Sequence, residues 1–303
     1  MNVVIKVNEE VKQKMIEYYK DKMRDKKIPY VVFQAKDEDT VITMYESGKV
    51  MFQGTSADVD AAMWGTILGN SKEEKDKEKI RDLKYHNCSS VGSDEVGTGD
   101  YFGPIVVTAT YVSKENVKYL ENLGIRDSKK LTDDFILKVT PEIIKTIPYR
   151  SVILTNQEYN EKYSKDINMN KIKAIMHNKV LYQIMTELRP SIDYIIVDEF
   201  ARESRYYDYI KDVPNIQKGI TFIQKAEDKN LAVGAASIIS RYIFLKEFDK
   251  LCEKLGLPLP KGAGPEVDKI GEELVNKFGE EKLKKVAKYN FKNTQRILKT
   301  LIF

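Results

Sequence analysis

Hydrophobic positions in the first 70 residues switch from helical to strand spacing along the chain. Asn8 is a favourable helix N-cap, and the apolar residues after it share one helical face: Val11, Met15, Tyr18, Tyr19 and Met23. β-type runs follow at residues 30–34, 40–45 and 49–53, and Ser47-Gly48 marks a tight turn. A second helix is expected over residues 56–68. The pattern predicts a small α+β domain over residues 1–70, with its helices on one face of an antiparallel sheet.

A run of mixed charges, SKEEKDKEKIRDLK at residues 71–84, separates this region from the rest. Such a run is typical of a solvated linker or an exposed helix, and we predict a linker over residues 71–87. Strand-like runs then occur at residues 89–93, 105–112, 151–154, 194–197 and 220–223. Helical patterns occur at residues 170–188, 232–255, 266–277 and 280–288. They predict a mixed α/β domain over residues 88–303.

The amino-acid composition limits which classes of protein this chain can belong to. A hydrophobic fraction of 42% and a charged fraction of 32% over 303 residues are typical of a folded, soluble chain of two domains. The cysteines, Cys88 and Cys252, form no CxxC pair and there are only two histidines, so neither a disulfide framework nor a structural zinc site is expected. No apolar run is long enough to span a membrane, and the first residues are too polar for a secretory signal. A cytoplasmic protein is expected.

The net charge of +4 permits an anionic partner without requiring one. The first 70 residues hold 10 Lys and Arg against 11 Asp and Glu, and the remaining 233 hold 40 against 35. A surface for nucleic acid would therefore have to come from local patches.

The clearest chemical signal is a set of carboxylates at the ends of predicted strands. Asp94 and Glu95 close the run at residues 88–93, and Asp198 closes another at 195–197. Open α/β sheets bind ligands at the carboxyl ends of their strands. Because neighbouring strand residues point to opposite faces, the adjacent pair can converge only if the backbone bends between or just after them. Gly97 and Gly99 permit such a bend.

Clustered carboxylates suit a metal-dependent reaction on a phosphodiester. Hard cations such as Mg²⁺ take oxygen ligands from carboxylates, water and substrate phosphates. Two such ions can activate a water and stabilise the leaving oxygen of an in-line displacement. The alternative interpretation is that an Asp-Glu pair followed by glycine is merely a turn.

Several motifs make the chain resemble a known family. The stretch DEVGTGDYFGP at residues 94–104 resembles the signature of the type 2 ribonucleases H, and Thr98 is typical of the ribonuclease HIII branch, where HII enzymes usually have Arg. Further matches stand in the family's order: DSKKL at 127–131, VDEFA at 197–201, KAE at 225–227 and AASIISRY at 235–242. The resemblance covers residues 88 to about 295. The first 70 residues resemble the TBP-like domain that precedes the catalytic domain in HIII enzymes.

The resemblance implies four metal-binding catalytic carboxylates: Asp94, Glu95, Asp198 and Glu227. Glu227 is consistent with the HIII branch, although Asp228 beside it competes for the fourth position. Mg²⁺ is the implied cofactor, with Mn²⁺ as a second possibility. The implied fold is a ribonuclease H-like mixed sheet preceded by the TBP-like domain.

Substrate contacts are expected from two kinds of residue. Small residues in the Gly97-Thr98-Gly99 turn let backbone amides approach a phosphate or a ribose 2′-OH. Basic and hydroxyl groups position a duplex through its phosphates, which suits Ser128, Lys129 and Lys130, with a solvated loop as the alternative. Ser237 is expected to approach the substrate, with a buried helix cap as the alternative, and Lys49 is a candidate contact in the first domain. Phe52 is a further candidate in the first domain, with sheet core as the alternative. His177 is interpreted as an interior residue.

The implied activity is endonucleolytic hydrolysis of the RNA strand of RNA–DNA hybrids, which leaves 5′-phosphate ends. One alternative is HII-like cleavage at single ribonucleotides in duplex DNA, which Thr98 and the N-terminal domain disfavour. The other is a hybrid-binding protein without turnover. The expected partner is the hybrid duplex, bound by a monomer.

Overall fold

The computed structural model describes residues 2–25, 28–67, 82–125 and 131–300. The chain divides into two compact units, Met1–Arg81 and Asp82–Phe303. Most of the predicted linker over residues 71–87 lies outside the described residues, so the domain boundaries stay a prediction. Within the described ranges, no helix combines the length and apolar character that crossing a bilayer requires.

Among its described residues, the first unit has an antiparallel sheet and two α-helices. Its strands are β1 Asn2–Lys6, β2 Val31–Asp37, β3 Thr40–Tyr45 and β4 Lys49–Gly54, in the order β1-β4-β3-β2. Its helices are α1 Glu9–Tyr19 and α2 Ala57–Ile67. The predicted α+β class is confirmed. β1 was not predicted; none of its five residues is fully buried.

The core of this unit lies between the sheet and the helices. Asn8 caps α1 as predicted, since its Oδ1 accepts a hydrogen bond from Val11 N at 2.9 Å. The indole nitrogen of Trp64 in α2 donates to the hydroxyl of Tyr19 in α1 at 2.9 Å, so both aromatic side chains are buried with their polar atoms paired. This bond fixes the two helices against each other.

The second unit is built on a mixed five-stranded sheet. Its strands are β5 Ser90–Val96, β6 Ile105–Val112, β7 Tyr149–Leu154, β8 Tyr194–Asp198 and β9 Ile220–Ile223, in the order β7-β6-β5-β8-β9. β5, β6 and β7 are antiparallel neighbours, whereas β8 and β9 run parallel to β5. The five predicted strands are confirmed. Because β5 and β8 are parallel, their carboxyl ends lie at the same edge of the sheet.

Helices cover both faces of this sheet. In chain order they are α3 Val117–Asn122, α4 Asp133–Thr146, α5 Asn156–Lys162, α6 Met169–Leu188, α7 Glu203–Tyr209, α8 Ala226–Lys229, α9 Leu231–Leu255, α10 Pro265–Phe278, α11 Glu280–Val286 and α12 Lys292–Thr300. α6 packs on one face with a core that includes Val91, and α9 packs on the other with a core that includes Val106. The four helices predicted in this region correspond to α6, α9, α10 and α11.

The register of α9 on β5 is fixed by close contacts. Asn230 caps α9 through Oδ1, which accepts from Ala232 N and Val233 N, while its Nδ2 donates to Ser90 Oγ at the start of β5. At Gly92, a Cβ would lie 2.4 Å from Val233 N, so only glycine allows the helix to approach this closely. As a result, the middle of α9 runs beside the end of β5, where the two adjacent carboxylates lie.

Candidate active site

Asp94 and Glu95 leave the end of β5 toward different helices, as the alternation of strand side chains requires. Asp94 accepts a hydrogen bond from the hydroxyl of Ser237 in α9, and its backbone oxygen accepts from Ser240 Oγ at 3.1 Å. Glu95 instead contacts residues of α6. The predicted bend comes just after the pair, at Gly97, and does not turn the two side chains to the same face.

The carboxylate of Glu95 is held by two side chains of α6. His177 Nε2 lies 2.8 Å from its Oε2, and Lys173 Nζ lies 2.5 Å from its Oε1. The other imidazole nitrogen of His177 lies 2.7 Å from Ser93 Oγ. Burial by itself raises the pKa of Glu95, but the hydrogen bonds and charges of His177 and Lys173 outweigh burial and hold that pKa at about 2. Glu95 is therefore an anion over the ordinary pH range.

Asp94 has the opposite electrostatic environment. Burial raises its pKa, and the negative charges of Glu95 and Glu227 raise it further, to about 7. Hydrogen bonds from Ser237 and from the backbone act in the other direction without cancelling the increase. The site therefore holds more negative charge than its own hydrogen bonds compensate.

Asp198 closes β8 at the same edge of the sheet. Lys225 has a left-handed backbone with φ of 54°, and Ala226 N after it donates to Asp198 Oδ1 at 3.0 Å. Burial raises the pKa of Asp198, and the charges of Glu227 and Glu95 also raise it, against the hydrogen bond from Ala226. The charges of Glu227 and Glu95 thus both act on Asp198.

Glu227 in the short helix α8 is partly buried, whereas the neighbouring Asp228 is exposed. The negative charge of Glu227 contributes to the raised pKa of both Asp94 and Asp198, after burial, so this charge lies near both carboxylates. This geometry favours Glu227 over Asp228 as the fourth carboxylate.

In the described residues, these carboxylates are not arranged as a complete set of ligands for one metal ion. Within residues 2–25, 28–67, 82–125 and 131–300, no group of three or more His, Cys, Asp or Glu side chains is arranged to hold a metal ion. The oxygens of Glu95 are engaged by Lys173 and His177, and uncompensated carboxylates repel one another. The oxygen-only donor set and its excess negative charge nevertheless fit a hard divalent cation, which would compensate that charge.

The glycine turn after β5 has a shape that only glycine permits at its first position. Gly97 has φ of 94°, and a Cβ there would lie 2.1 Å from the backbone oxygen of Pro104. Gly99 is exposed, and a Cβ there would meet nothing within 4 Å. Thr98 between them is partly buried. The turn therefore presents an open backbone segment beside the carboxylates.

A buried lysine supports the segment that follows this turn. Lys288 has no exposed surface, and its Nζ donates to the backbone oxygens of Asp100 at 2.7 Å and Gly103 at 2.8 Å. The Asp100 carboxylate in turn accepts from Gly262 N at 2.6 Å. Burial lowers the pKa of Lys288 to about 7, although the nearby charge of Asp100 acts to raise it. The C-terminal segment thus fixes the loop between β5 and β6.

The remaining predicted contacts have different outcomes. Ser237 lies at the site, where it contacts Asp94. Lys49 is exposed on β4 of the first unit. The prediction for Phe52 is wrong, because its side chain has no exposed surface and packs in the core beneath the first sheet. Ser128, Lys129 and Lys130 lie outside the described residues.

Sequence reasoning missed Lys173 and Lys288 and interpreted His177 only as an interior residue. Lys173 and His177 lie four positions apart on α6, so they share one helical face. The available signal was a lysine and a histidine at this spacing. Both lie on a helix that packs against the strand of Asp94 and Glu95. Lys288 carried no comparable signal, because its partners are backbone oxygens far away in the sequence.

Comparison with known proteins gives consistent matches over nearly the whole chain. The family model described as ribonuclease HII matches residues 91–294, and a domain of unknown function, DUF3378, matches residues 2–77. The ribonuclease HIII of Bacillus cereus strain ATCC 14579 is 39% identical, with 99% of each chain covered. That of Bacillus thuringiensis subsp. konkukian is 38% identical, again with 99% of each covered.

Solved structures agree with these matches. The crystal structure of Bst-RNase HIII in complex with Mn²⁺ has a TM-score of 0.73 and 36% identity, and covers 99% of both chains. The ribonuclease H2 from Pyrococcus horikoshii OT3 has a TM-score of 0.58 and 25% identity, and it covers 71% of this chain and 99% of its own. The first structure extends over both units, whereas the second covers a smaller share of this chain.

Proposed function

The chain belongs to the ribonuclease HIII branch of the type 2 ribonucleases H, and from this membership we propose that four carboxylates, three on strands β5 and β8 and one in helix α8, bind the catalytic divalent cations. They are Asp94, Glu95, Asp198 and Glu227. The protein is an endonuclease that hydrolyses the RNA strand of RNA–DNA hybrids with the help of divalent metal ions. What we propose is that these four residues hold the metal ions.

One observation carries the assignment. The pKa of Asp94 is raised by burial first and then by the charges of Glu95 and Glu227, and the same two glutamates raise the pKa of Asp198. Residues far apart in sequence therefore concentrate negative charge at one edge of the sheet. Divalent cations bound there would polarise the scissile phosphate and supply a water nucleophile of lowered pKa.

The protein's own side chains orient these carboxylates. His177 and Lys173 keep Glu95 ionised and fix the direction of its carboxylate. The hydroxyl of Ser237 donates to the carboxylate of Asp94 and the backbone Ala226 N donates to that of Asp198, so each of these bonds orients its carboxylate. No side chain is required as a nucleophile in this proposal, so the contribution of the chain is to position charge and substrate.

The glycine turn is the proposed contact with the RNA strand. Gly99 is exposed and has open space around it, so a sugar can approach its backbone closely. A backbone amide at such a position can hydrogen-bond a ribose 2′-OH, the group that distinguishes RNA from DNA. Thr98 and Gly97 complete the turn.

Finer features of the function are also proposed. Mg²⁺ is the proposed cation, and the Mn²⁺ complex of Bst-RNase HIII supports divalent metal use in general. Cleavage is proposed to leave 5′-phosphate ends, and the enzyme is proposed to act as a cytoplasmic monomer. In the first unit, the exposed Lys49 remains a proposed contact with the duplex, whereas Phe52 is excluded by its burial.

Cleavage of an end-labelled RNA–DNA hybrid by the full-length chain, with and without Mg²⁺, tests the assignment. The matched pair Glu227→Gln and Asp228→Asn separates the two neighbouring acids. We expect Glu227→Gln to lose cleavage by at least about a hundredfold, since it alters the charge at the site, and Asp228→Asn to retain it. Equal activity of both variants would contradict the assignment of Glu227.

Other substrates define the competing functions. Duplex DNA with a single ribonucleotide, double-stranded RNA and double-stranded DNA are tested beside the hybrid. Efficient cleavage at the single ribonucleotide would indicate HII-like repair. Hybrid binding without cleavage in either Mg²⁺ or Mn²⁺ would indicate a binding protein without turnover.

A further inference from the structure

A cleft of about 260 Å³ lies beside the glycine turn, between the second half of α9 and the segment that joins β7 to α5. Its apolar wall is formed by Pro104, Ile153 and Leu251. The backbone oxygen of Pro104 is the atom that a Cβ on Gly97 would meet at 2.1 Å. Pro104 therefore joins the cleft to Gly97, the first residue of the glycine turn, on the same edge of the sheet as the carboxylates.

The rim of this cleft is positively charged. Lys250 and Lys254 come from α9, and Lys285 comes from α11. Glu247 also lines the cleft, but its carboxylate already accepts a hydrogen bond from Lys250 at 2.7 Å. Within the described part of the chain, the side-chain ammonium groups of Lys254 and Lys285 make neither an ion pair nor a hydrogen bond. Two ammonium groups are thus available to an anion.

A buried donor lies among the lining residues of the same cleft. Asn156 is only 4% exposed, and its Nδ2 is fully buried with no acceptor among the described residues. A buried donor without an acceptor is energetically unfavourable. Thr155 beside it is not free in this way, because its hydroxyl is engaged with Glu158. A rotation of the Asn156 side chain toward the cleft would let its amide donate to an acceptor bound there.

The dimensions and chemistry favour one class of ligand. Pockets for drug-sized molecules usually measure about 300–1,000 Å³, so this cleft suits a smaller group. Lysine ammonium groups and a lone amide donor match the oxygens of a phosphate, and the partly exposed Ile153 offers an apolar surface for an attached sugar.

We propose that this cleft is a phosphate-binding site, distinct from the strand-end carboxylates, that receives a backbone phosphate of the bound duplex. The assignment rests on the proposed function, because a duplex whose RNA strand contacts the glycine turn would bring its sugar–phosphate backbone to the adjoining cleft. Binding there positions the duplex without reading its sequence. A free molecule that carries a phosphate would present the same oxygens to the cleft. Competition between inorganic phosphate and the hybrid distinguishes these two kinds of ligand.

The test measures binding rather than cleavage, so that it does not depend on the catalytic assignment. Binding of a fluorescent RNA–DNA hybrid to the full-length chain is followed by anisotropy in EDTA, between about 50 and about 200 mM salt. The test variant is Lys254→Ala with Lys285→Ala. The control is Lys114→Ala with Lys118→Ala, which removes equal charge from exposed lysines after the opposite end of β6.

We expect the test variant to weaken hybrid binding by about three- to tenfold and to reduce the slope of log Kd against log salt concentration by about 1–2. The control should change both quantities much less. Equal effects of the two double variants would mean that only overall charge matters and would overturn the site. Unchanged hybrid binding in the test variant would also overturn the duplex assignment.

Inorganic phosphate provides the second readout, by calorimetry with the wild-type chain, the double variants and Asn156→Asp. We expect phosphate binding that the test variant and Asn156→Asp both lose and that the hybrid competes away. Phosphate binding that the hybrid leaves unaffected would assign the cleft to a free phosphate compound and overturn the duplex assignment. Failure of the wild type to bind hybrid at all would instead count against the proposed function, while the phosphate readout would still report on the cleft.

Discussion

His177 Nε2 lies 2.8 Å from Glu95 Oε2, and the histidine side chain that makes this contact is completely buried. Its second ring nitrogen lies 2.7 Å from Ser93 Oγ, two residues earlier on the same strand. Because both ring nitrogens are engaged, the imidazole is held in one orientation. Its contact with Glu95 then fixes the direction of that carboxylate. His177 is therefore a positioning residue for Glu95.

Replacing His177 should weaken metal binding as well as turnover. His177→Ala leaves Glu95 and Ser93 without their shared partner, and loss of such outer contacts typically costs about 10- to 100-fold in metal affinity or activity. We expect kcat to fall in that range with little change in KM for the hybrid. Mn²⁺ binding to the free protein, measured by electron paramagnetic resonance, should weaken in parallel.

His177→Gln is the conservative variant, because an amide can still donate to Glu95. It should recover part of the lost Mn²⁺ affinity, while urea unfolding checks that both variants are folded. A His177→Ala protein with normal Mn²⁺ affinity and normal kcat would limit His177 to a packing role.

Replacing Lys173 should strengthen metal binding, whereas replacing His177 should weaken it. Its ammonium lies 2.5 Å from Glu95 Oε1 and 4.1 Å from the centre of the Phe200 ring, so it already compensates part of the charge that a cation would use. Lys173→Met should raise Mn²⁺ affinity by about three- to tenfold, up to about 1.4 kcal/mol. Lys173→Arg, which keeps the charge, should not. Weaker Mn²⁺ binding in Lys173→Met would show that the lysine supports the cation rather than competing with it.

The two glycines of the turn should respond differently to alanine. Gly97→Ala places a Cβ 2.1 Å from the Pro104 oxygen at a left-handed φ of 94°, so it should lower the free energy of unfolding by about 1–3 kcal/mol or more. Gly99→Ala meets no atom within 4 Å and should change stability by less than about 1 kcal/mol.

Activity then tests the role of the turn. The folded Gly99→Ala protein should have a raised KM for the hybrid, because the added methyl obstructs the approach of a sugar to the backbone. Urea unfolding and steady-state kinetics measure the two effects. An unchanged KM would argue against contact between Gly99 and the substrate.

Lys288 should make stability depend on pH. Burial lowers its folded-state pKa to about 7, whereas an unfolded lysine titrates near 10.4, so between these values the unfolded chain binds more protons. The free energy of unfolding therefore gains a contribution from Lys288 as pH rises through this window, at most about 1.4 kcal/mol per pH unit. Below pH 7 Lys288 is charged in the folded state as well, so the free energy of unfolding is lowered by the full cost of burying that charge.

The difference in stability between wild type and Lys288→Met isolates this contribution. We expect the wild type to gain on the variant as pH increases from about 7 to about 10 in urea unfolding experiments. Lys118→Met, at an exposed lysine, should follow the wild-type curve. Parallel curves for wild type and Lys288→Met would show that Lys288 keeps an ordinary pKa.

Local patterns in the sequence were sufficient to predict much of this protein. The strands that carry Asp94 and Asp198 could be recognised because short β-branched runs precede these acidic residues. The predicted helices that became α6 and α9 have long apolar patterns. The resemblance of residues 94–104 to the type 2 ribonucleases H then connected carboxylates that lie in separate motifs. These features depend on residues close together in the chain.

Other features were decided only by tertiary structure. Phe52 and Lys49 occupy the same strand, but only packing beneath the sheet determined that Phe52 is buried and Lys49 exposed. The direction of Glu95 depends on α6, whose residues contact it from about 80 positions further along the chain. Lys288 binds backbone oxygens 188 and 185 positions earlier. Side-chain burial and long-range hydrogen bonds arise when distant segments pack together, so no local pattern could specify them.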